Sequence, residues 1–130
     1  MKKTNNRLVT LKKNKEFTFV YHRGKSCATR RIVLIYFKNK YGGIRSGFSV
    51  SKKVGKAVVR NKVRRRMKEC LREMLCEMTA QNANLIFVAR ASIAEATYSE
   101  IRKDMRYLLK KAGLLTAEKP RSTAGNGDTV

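Results

Sequence analysis

Residues 51–68 read Ser-Lys-Lys-Val-Gly-Lys-Ala-Val-Val-Arg-Asn-Lys-Val-Arg-Arg-Arg-Met-Lys, a run whose chemistry is the capture of phosphate. An Arg guanidinium takes two phosphate oxygens at once and a Lys ammonium adds a point charge. A helix N-terminus contributes backbone N–H donors and the positive end of a dipole. Between residues 52 and 72 ten Lys or Arg accompany a single Glu, yet apolar side chains still recur at Val59, Val63, Met67, Cys70, Met74 and Met78. At about 100° per residue these share roughly a third of a helix circumference, with Asn61, Arg65, Lys68 and Arg72 opposite. One face is predicted to enter a core and the other to meet a polyanion.

Bond-breaking chemistry has little support. Cleavage of a phosphodiester by protein side chains usually needs a general acid and base or a carboxylate cluster that holds metal ions. His22 is the only histidine, and its place at the end of a predicted first helix is explained by a cation beside a helix C-terminus. Glu69, Glu73 and Glu77 share a helical face at spacings of four, but Arg65, Arg66 and Arg72 are predicted as their partners. No catalytic residue and no protein metal site is expected. Cys27, Cys70 and Cys76 are odd in number and lack C-x-x-C spacing, so all three are read as reduced packing residues.

With 31 basic and 9 acidic residues the chain carries a formal net charge of +22 over 130 residues. Such self-repulsion calls for an anionic partner, which charge alone leaves open among nucleic acid, membrane surface and acidic protein. The longest apolar run, residues 32–37, has strand length rather than membrane-spanning length. No apolar segment follows the basic start, so a signal peptide is not expected and a cytoplasmic location is.

These residues must be positioned by a scaffold, which the pattern predicts as one domain over residues 11–115. A basic flexible arm over 1–10 precedes it and a disordered tail over 116–130 follows it. Asn14 as N-cap and Gly24 beyond the end bound a short helix whose Phe17, Val20 and Tyr21 share a face, with Phe19 turned elsewhere. The run 27–37 reads as one strand, with Val33, Ile35 and Phe37 on one side and Ile32, Leu34 and Tyr36 on the other. Residues 44–51 read as a second strand, paired with the first in an antiparallel hairpin. A basic helix over 57–79 follows, then a short apolar strand over 85–90. Thr97 and Glu100 form a capping-box pattern that opens a last helix running to Gly113. The predicted class is α+β: a single-domain sandwich of order α-β-β-α-β-α, with helices packed on a mixed sheet and a long basic second helix.

Ser49-Val50-Ser51-Lys52-Lys53-Val54-Gly55, Ala57-Val58 and Arg60-Asn61-Lys62-Val63-Arg64-Arg65 together closely resemble the Arg-Asn-Arg signature region of the bacterial ribonuclease P protein subunit. Arg7-Leu8, Leu11-Lys12-Lys13-Asn14 with Phe17, Ala89-Arg90, and Thr97-Tyr98 with Glu100 extend the resemblance over roughly residues 7–113. It implies a fold like the second domain of ribosomal protein S5. It further implies a protein that binds the catalytic RNA of ribonuclease P and the 5′ leader of precursor tRNA, assisting endonucleolytic removal of that leader. Catalytic-RNA contacts are implied for Arg60, Asn61, Lys62, Arg64, Arg65 and Lys68. Phe17 and Tyr21 match aromatic positions that line a leader-binding cleft. Val33, Ile35, Lys53 and Arg90 are further members, although several relatives carry Tyr where this chain has Ile35. The active site and its Mg²⁺ would belong mainly to the RNA, and the subunit would be monomeric, with no membrane partner. A stand-alone RNA-binding or ribosome-associated module remains the alternative, with an endoribonuclease acting without RNA a third reading.

Overall fold

The computed structural model describes residues 9–10, 14–38, 43–78 and 82–115. The expected arm, apart from Val9 and Thr10, and the expected tail lie outside the described residues.

The most apolar segment takes the centre. β5 (Ala83–Ala89) is buried on both faces except at Asn84 and Val88, as befits a strand covered from both sides. β4 (Ile44–Val50) lies parallel to it from Ile44↔Ala83 to Val50↔Ala89, and β3 (Ile32–Phe37) lies antiparallel from Ile32↔Ala89 to Phe37↔Asn84. β2 (Lys25–Ala28) and β1 (Val9–Thr10) form the edges, giving the order β1-β4-β5-β3-β2. The mixed α+β sheet is as expected, but the hairpin between the first two predicted strands is not. β5 inserts between β3 and β4, because a strand this apolar is worth most where both faces are covered. The end of β3 and the start of β4 thus flank β5 at the same end of the sheet, two strand spacings of about 4.8 Å apart.

The run 27–37 proves to be two strands joined by a tight turn. Thr29 Oγ1 accepts from the backbone N–H groups of Arg31 (3.3 Å) and Ile32 (3.1 Å), and Thr29 N–H donates to the Ile32 carbonyl at 2.8 Å. A side-chain hydroxyl thus folds back what β-propensity alone reads as continuous. Val9 and Thr10 likewise leave the expected arm to pair with Arg45 and Ser46.

α1 (Asn14–Arg23) covers one sheet face, and α2 (Ala57–Met74) with α3 (Tyr98–Lys111) covers the other. Val63, Met67, Cys70, Leu71 and Met74 of α2 are buried against Ile101, Met105 and Leu108 of α3 and Leu34 and Phe87 of the sheet. The helix expected to reach residue 79 stops at Met74 and tightens into a 3-10 turn, Leu75–Glu77. Met78 then leaves the helical register and pairs with Leu115, so the last apolar residue of the stripe reaches the core from extended backbone. The capping box of α3 is present: Thr97 Oγ1 accepts from Glu100 N–H at 3.1 Å and Glu100 Oε1 accepts from Thr97 N–H at 2.9 Å.

Candidate nucleic-acid interface

The start of α2 is set by the loop before it. Val54, in a 3-10 turn Lys52–Val54, is buried in the main core, and Gly55 follows at φ +154°, a conformation L side chains rarely adopt. Lys56, the N-cap, offers no side-chain acceptor to the first-turn N–H groups, and no acidic residue occupies that turn. The helix N-terminus therefore presents uncapped donors and a positive dipole end beside Lys52, Lys53 and Lys56, all exposed.

The basic run divides by task. Arg60 is half-buried and its Nε–H donates to the Gly55 carbonyl at 3.2 Å; Arg66 reaches across to the Ala96 carbonyl at 3.3 Å. Asn61 Oδ1 accepts from an Arg64 guanidinium N–H at 3.0 Å, so the Asn orients a neighbouring cation one turn on. Lys62 and Arg65 are exposed and Lys68 is half-buried, and none of the three has an ion-pair partner among the described residues. Arg65 and Lys68 thus stand on the side opposite the buried stripe, as the spacing predicts. Val58, one residue past the start of the helix, is 79% exposed beside them. Its type is apolar, and its angle on the helix, off the buried stripe, places it outside.

Two carboxylates, Glu73 at the end of α2 and Glu77 in the 3-10 turn after it, serve the partner helix α3. Arg72 pairs with Glu69 within α2, but Glu73 meets Arg102 Nε at 3.0 Å and Glu77 takes both guanidinium nitrogens of Arg106, at 2.8 and 3.2 Å. The expected partners Arg65 and Arg66 are not used, since Glu73 and Glu77 face α3 rather than the outer surface. Glu73 also accepts from the Tyr98 hydroxyl at 2.7 Å; that hydrogen bond, with some desolvation, pushes the Tyr98 phenol well above its ordinary value. Among the described residues no group of three His, Cys, Asp or Glu converges to hold a metal ion.

On the opposite sheet face Val20 of α1 is fully buried against Ile86, with Ile35, Phe37 and Val88 packed around them. Tyr21, one position on, is 47% exposed; the side chain of Phe17 lies outside the described residues. Phe19 is not turned away: its ring meets Phe37 edge-on with centroids 5.0 Å apart. Val33 is half-buried and neighbours Val88 in register, beyond Ile35 on the same face. Lys53 and Arg90 are exposed just past the paired residues Val50 and Ala89. An apolar strip flanked by an aromatic helix at one side and cations at one end is thereby assembled from four separate chain segments.

A small, strongly basic α+β domain with an unneutralised helix face and an aromatic-edged sheet cleft is a protein built to engage a polyanion. The Ribonuclease P family model matches residues 5–113, and the chain belongs to that family. It is 48% identical over 104 residues to the ribonuclease P protein component of Clostridium botulinum strain 657, covering 80% of this chain and 94% of the relative. It is 42% identical over 109 residues to that of Clostridioides difficile strain 630, covering 84% and 96%. The RNase P protein of Staphylococcus aureus superposes with a TM-score of 0.76 at 32% identity, over 82% of this chain and 97% of that one. The chain is thus a protein subunit of an endoribonuclease ribonucleoprotein of tRNA processing, with RNA as its partner. Among the described residues no helix is long and apolar enough to cross a membrane.

Proposed function

We propose that the outward face of α2 docks the catalytic RNA of ribonuclease P and that the cleft between α1 and β3 holds the single-stranded 5′ leader of precursor tRNA. The observation that carries this reading is the division along α2 and the 3-10 turn that follows it. Arg66, Arg72, Glu73 and Glu77 are engaged by the protein itself, while Lys62, Arg65 and Lys68 have no carboxylate partner among the described residues. Arg60 and Asn61 shape the turn and orient Arg64, and Lys62, Arg64, Arg65 and Lys68 meet phosphates. About four such contacts make binding fall on the order of 10²-fold between low and moderate salt, a firm grip with little sequence preference.

In the cleft, Phe17 and Tyr21 offer rings to unpaired bases, worth roughly 1–3 kcal/mol per base and tolerant of sequence. Val33 and Ile35 supply the apolar floor, and Lys53 and Arg90 the phosphate contacts at its end. Cleavage belongs to the RNA. Among the described carboxylates, Glu69, Glu73, Glu77, Glu100 and Asp104 are each engaged by a guanidinium, and with Glu95 included no three such groups converge, so these residues do not fit a Mg²⁺ site, and the metal is assigned mainly to the partner RNA. The protein contributes by screening repulsion between two polyanions. It works in the cytoplasm as a monomer within the ribonucleoprotein.

Reconstitution tests this reading. Purified protein mixed with the catalytic RNA should restore precursor-tRNA cleavage at low Mg²⁺ and cleave nothing alone. Turnover by the protein alone would overturn the division of labour, and failure to stimulate the RNA would favour a stand-alone RNA-binding module. Phe17→Ala with Tyr21→Ala should weaken binding of precursor tRNA more than of mature tRNA; equal losses would make the rings core.

A further inference from the structure

A second cationic concavity lies at the far end of the sheet from the start of α2. Arg23, Lys25, Tyr36, Phe37, Lys38 and Ala112 line a cavity of about 290 Å³ where the ends of α1, β3 and α3 meet. Gly24 makes the junction possible. A Cβ there would sit 2.5 Å from the Val20 carbonyl oxygen and 2.7 Å from that of Tyr36, so only glycine lets α1 pass directly into β2, with Arg23 and Lys25 bracketing the turn. Lys25 is the register partner of Tyr36, which puts its side chain beside the ring on the same face. Lys38 carries its ammonium back over the end of α3, with Nζ 3.5 Å from where a Cβ on Gly113 would stand.

Arg23, Lys25 and Lys38 are all exposed, and none has an ion-pair partner among the described residues. Three cations converging on one concavity repel one another, and a phosphate placed among them would relieve that repulsion. The Tyr36 hydroxyl has no hydrogen-bond partner among the described residues either, and the ring stands next to the cations as a flat surface for a base. Phe37 belongs both to this cavity and to the apolar cluster under α1. The floor of the cleft along β3 from Val33 therefore meets the pocket at the Phe37 ring, about 13 Å on, and the pocket continues round the end of the sheet, where Lys25 and Tyr36 point to the other face.

We infer that this pocket holds a phosphodiester segment of the same single-stranded RNA that occupies the cleft, at nucleotides further from the cleavage point than those beside Tyr21. Arg23, Lys25 and Lys38 take the phosphate and Tyr36 meets the adjoining base. The inference rests on the leader reading above and extends it to a second subsite.

The test uses the full-length protein assembled with the catalytic RNA, and precursor tRNAs whose leaders are shortened one nucleotide at a time. With the wild-type protein, affinity should step down when the leader no longer reaches the pocket. The triple variant Arg23→Gln, Lys25→Gln, Lys38→Gln should lack that step, bind long-leader precursor on the order of tenfold more weakly, and lose about 2 from the salt slope, at roughly 0.7 per single-strand contact. A variant that keeps the step, keeps the slope, or loses mature tRNA equally overturns the pocket. Tyr21→Ala separates the two ideas: a loss of precursor affinity there with an intact step in the triple variant leaves the cleft standing and removes only the pocket. No loss with Tyr21→Ala removes the leader reading and the pocket with it.

Discussion

Arg60 Nε–H donates to the carbonyl oxygen of Gly55 across 3.2 Å, so the first cation of the Arg-Asn-Lys run closes the turn that aims the helix behind it. Its neighbour Arg65 is exposed and touches no carboxylate among the described residues. Two arginines one turn and a half apart thereby carry different duties. Arg60→Lys keeps the charge but not the planar donor fork. It should lower unfolding stability by about 1 kcal/mol, the net worth of one hydrogen bond, and leave the salt slope for the catalytic RNA unchanged. Arg65→Ala should leave the thermal midpoint alone and reduce that slope by about 1. Thermal melts and binding at several salt concentrations check both; a reversed pattern would exchange the two roles.

The Thr97 cap predicts a stability loss. Its hydroxyl holds the Glu100 N–H and its own N–H is held by Glu100, so Thr97→Ala should cost about 1 kcal/mol, or 4–8 °C in Tm for a domain of this size. Calorimetry measures it directly, and an unchanged Tm would mean that water replaces the cap without loss.

Glu100 should contribute a pH dependence. Its carboxyl is held below the ordinary value of 4.5, first by the Thr97 backbone N–H and then by Arg31. A folded-state value below the unfolded one means stabilisation that is present above the unfolded value and lost as pH falls through the folded one. Wild type and Glu100→Gln should accordingly differ in Tm at neutral pH and converge under acid. Parallel curves throughout would show that the charge on Glu100 does not contribute.

Thiol reactivity should follow burial. Cys76 is exposed, with its sulfur near the Glu73 carbonyl at 3.6 Å, and so departs from the packing role expected of all three cysteines. Burial pushes the thiols of Cys27 and Cys70 up, which lowers their thiolate fraction at neutral pH. Iodoacetamide on the folded protein should label Cys76 first, read by peptide mass spectrometry. Prior labelling of Cys70 would contradict its placement on the buried face of α2.

The attachment of α1 is local. Val20 and Ile86 are its fully buried pair, in a cluster separate from the main core. Val20→Ala removes two methyl groups, worth on the order of 1.5 kcal/mol. Hydrogen exchange should then speed up in α1 while α2 and α3 keep their protection. Uniform loss across all three helices would show that α1 opens only with the whole domain.

Much of this was legible in local pattern. The buried stripe of α2, the capping box of Thr97 and Glu100, and the alternation of Val33, Ile35 and Phe37 against Ile32, Leu34 and Tyr36 each follow from backbone period alone, because helix and strand geometry fix which side chains share a face. The Thr29 turn left only a faint signal, a Thr-Arg-Arg interruption in a β-branched run, and the stub at Val9 and Thr10 left none, since two residues carry no period. The unmatched cations of α2 were visible as charge, but not the withdrawal of Arg60 and Arg66 into backbone contacts, which depends on where Gly55 and Ala96 come to lie.

Sequence by itself determined that one helix would have a core face and a phosphate-seeking face, because amphipathic period and side-chain charge are properties of the chain. Tertiary structure alone decided that β5 divides β3 from β4, that Glu73 and Glu77 bind α3 rather than the arginines of α2, and that Arg23, Lys25, Tyr36 and Lys38 share a pocket. Those outcomes depend on contacts between segments far apart in the chain, chosen by which apolar surfaces gain most from being covered together, and no local spacing encodes them.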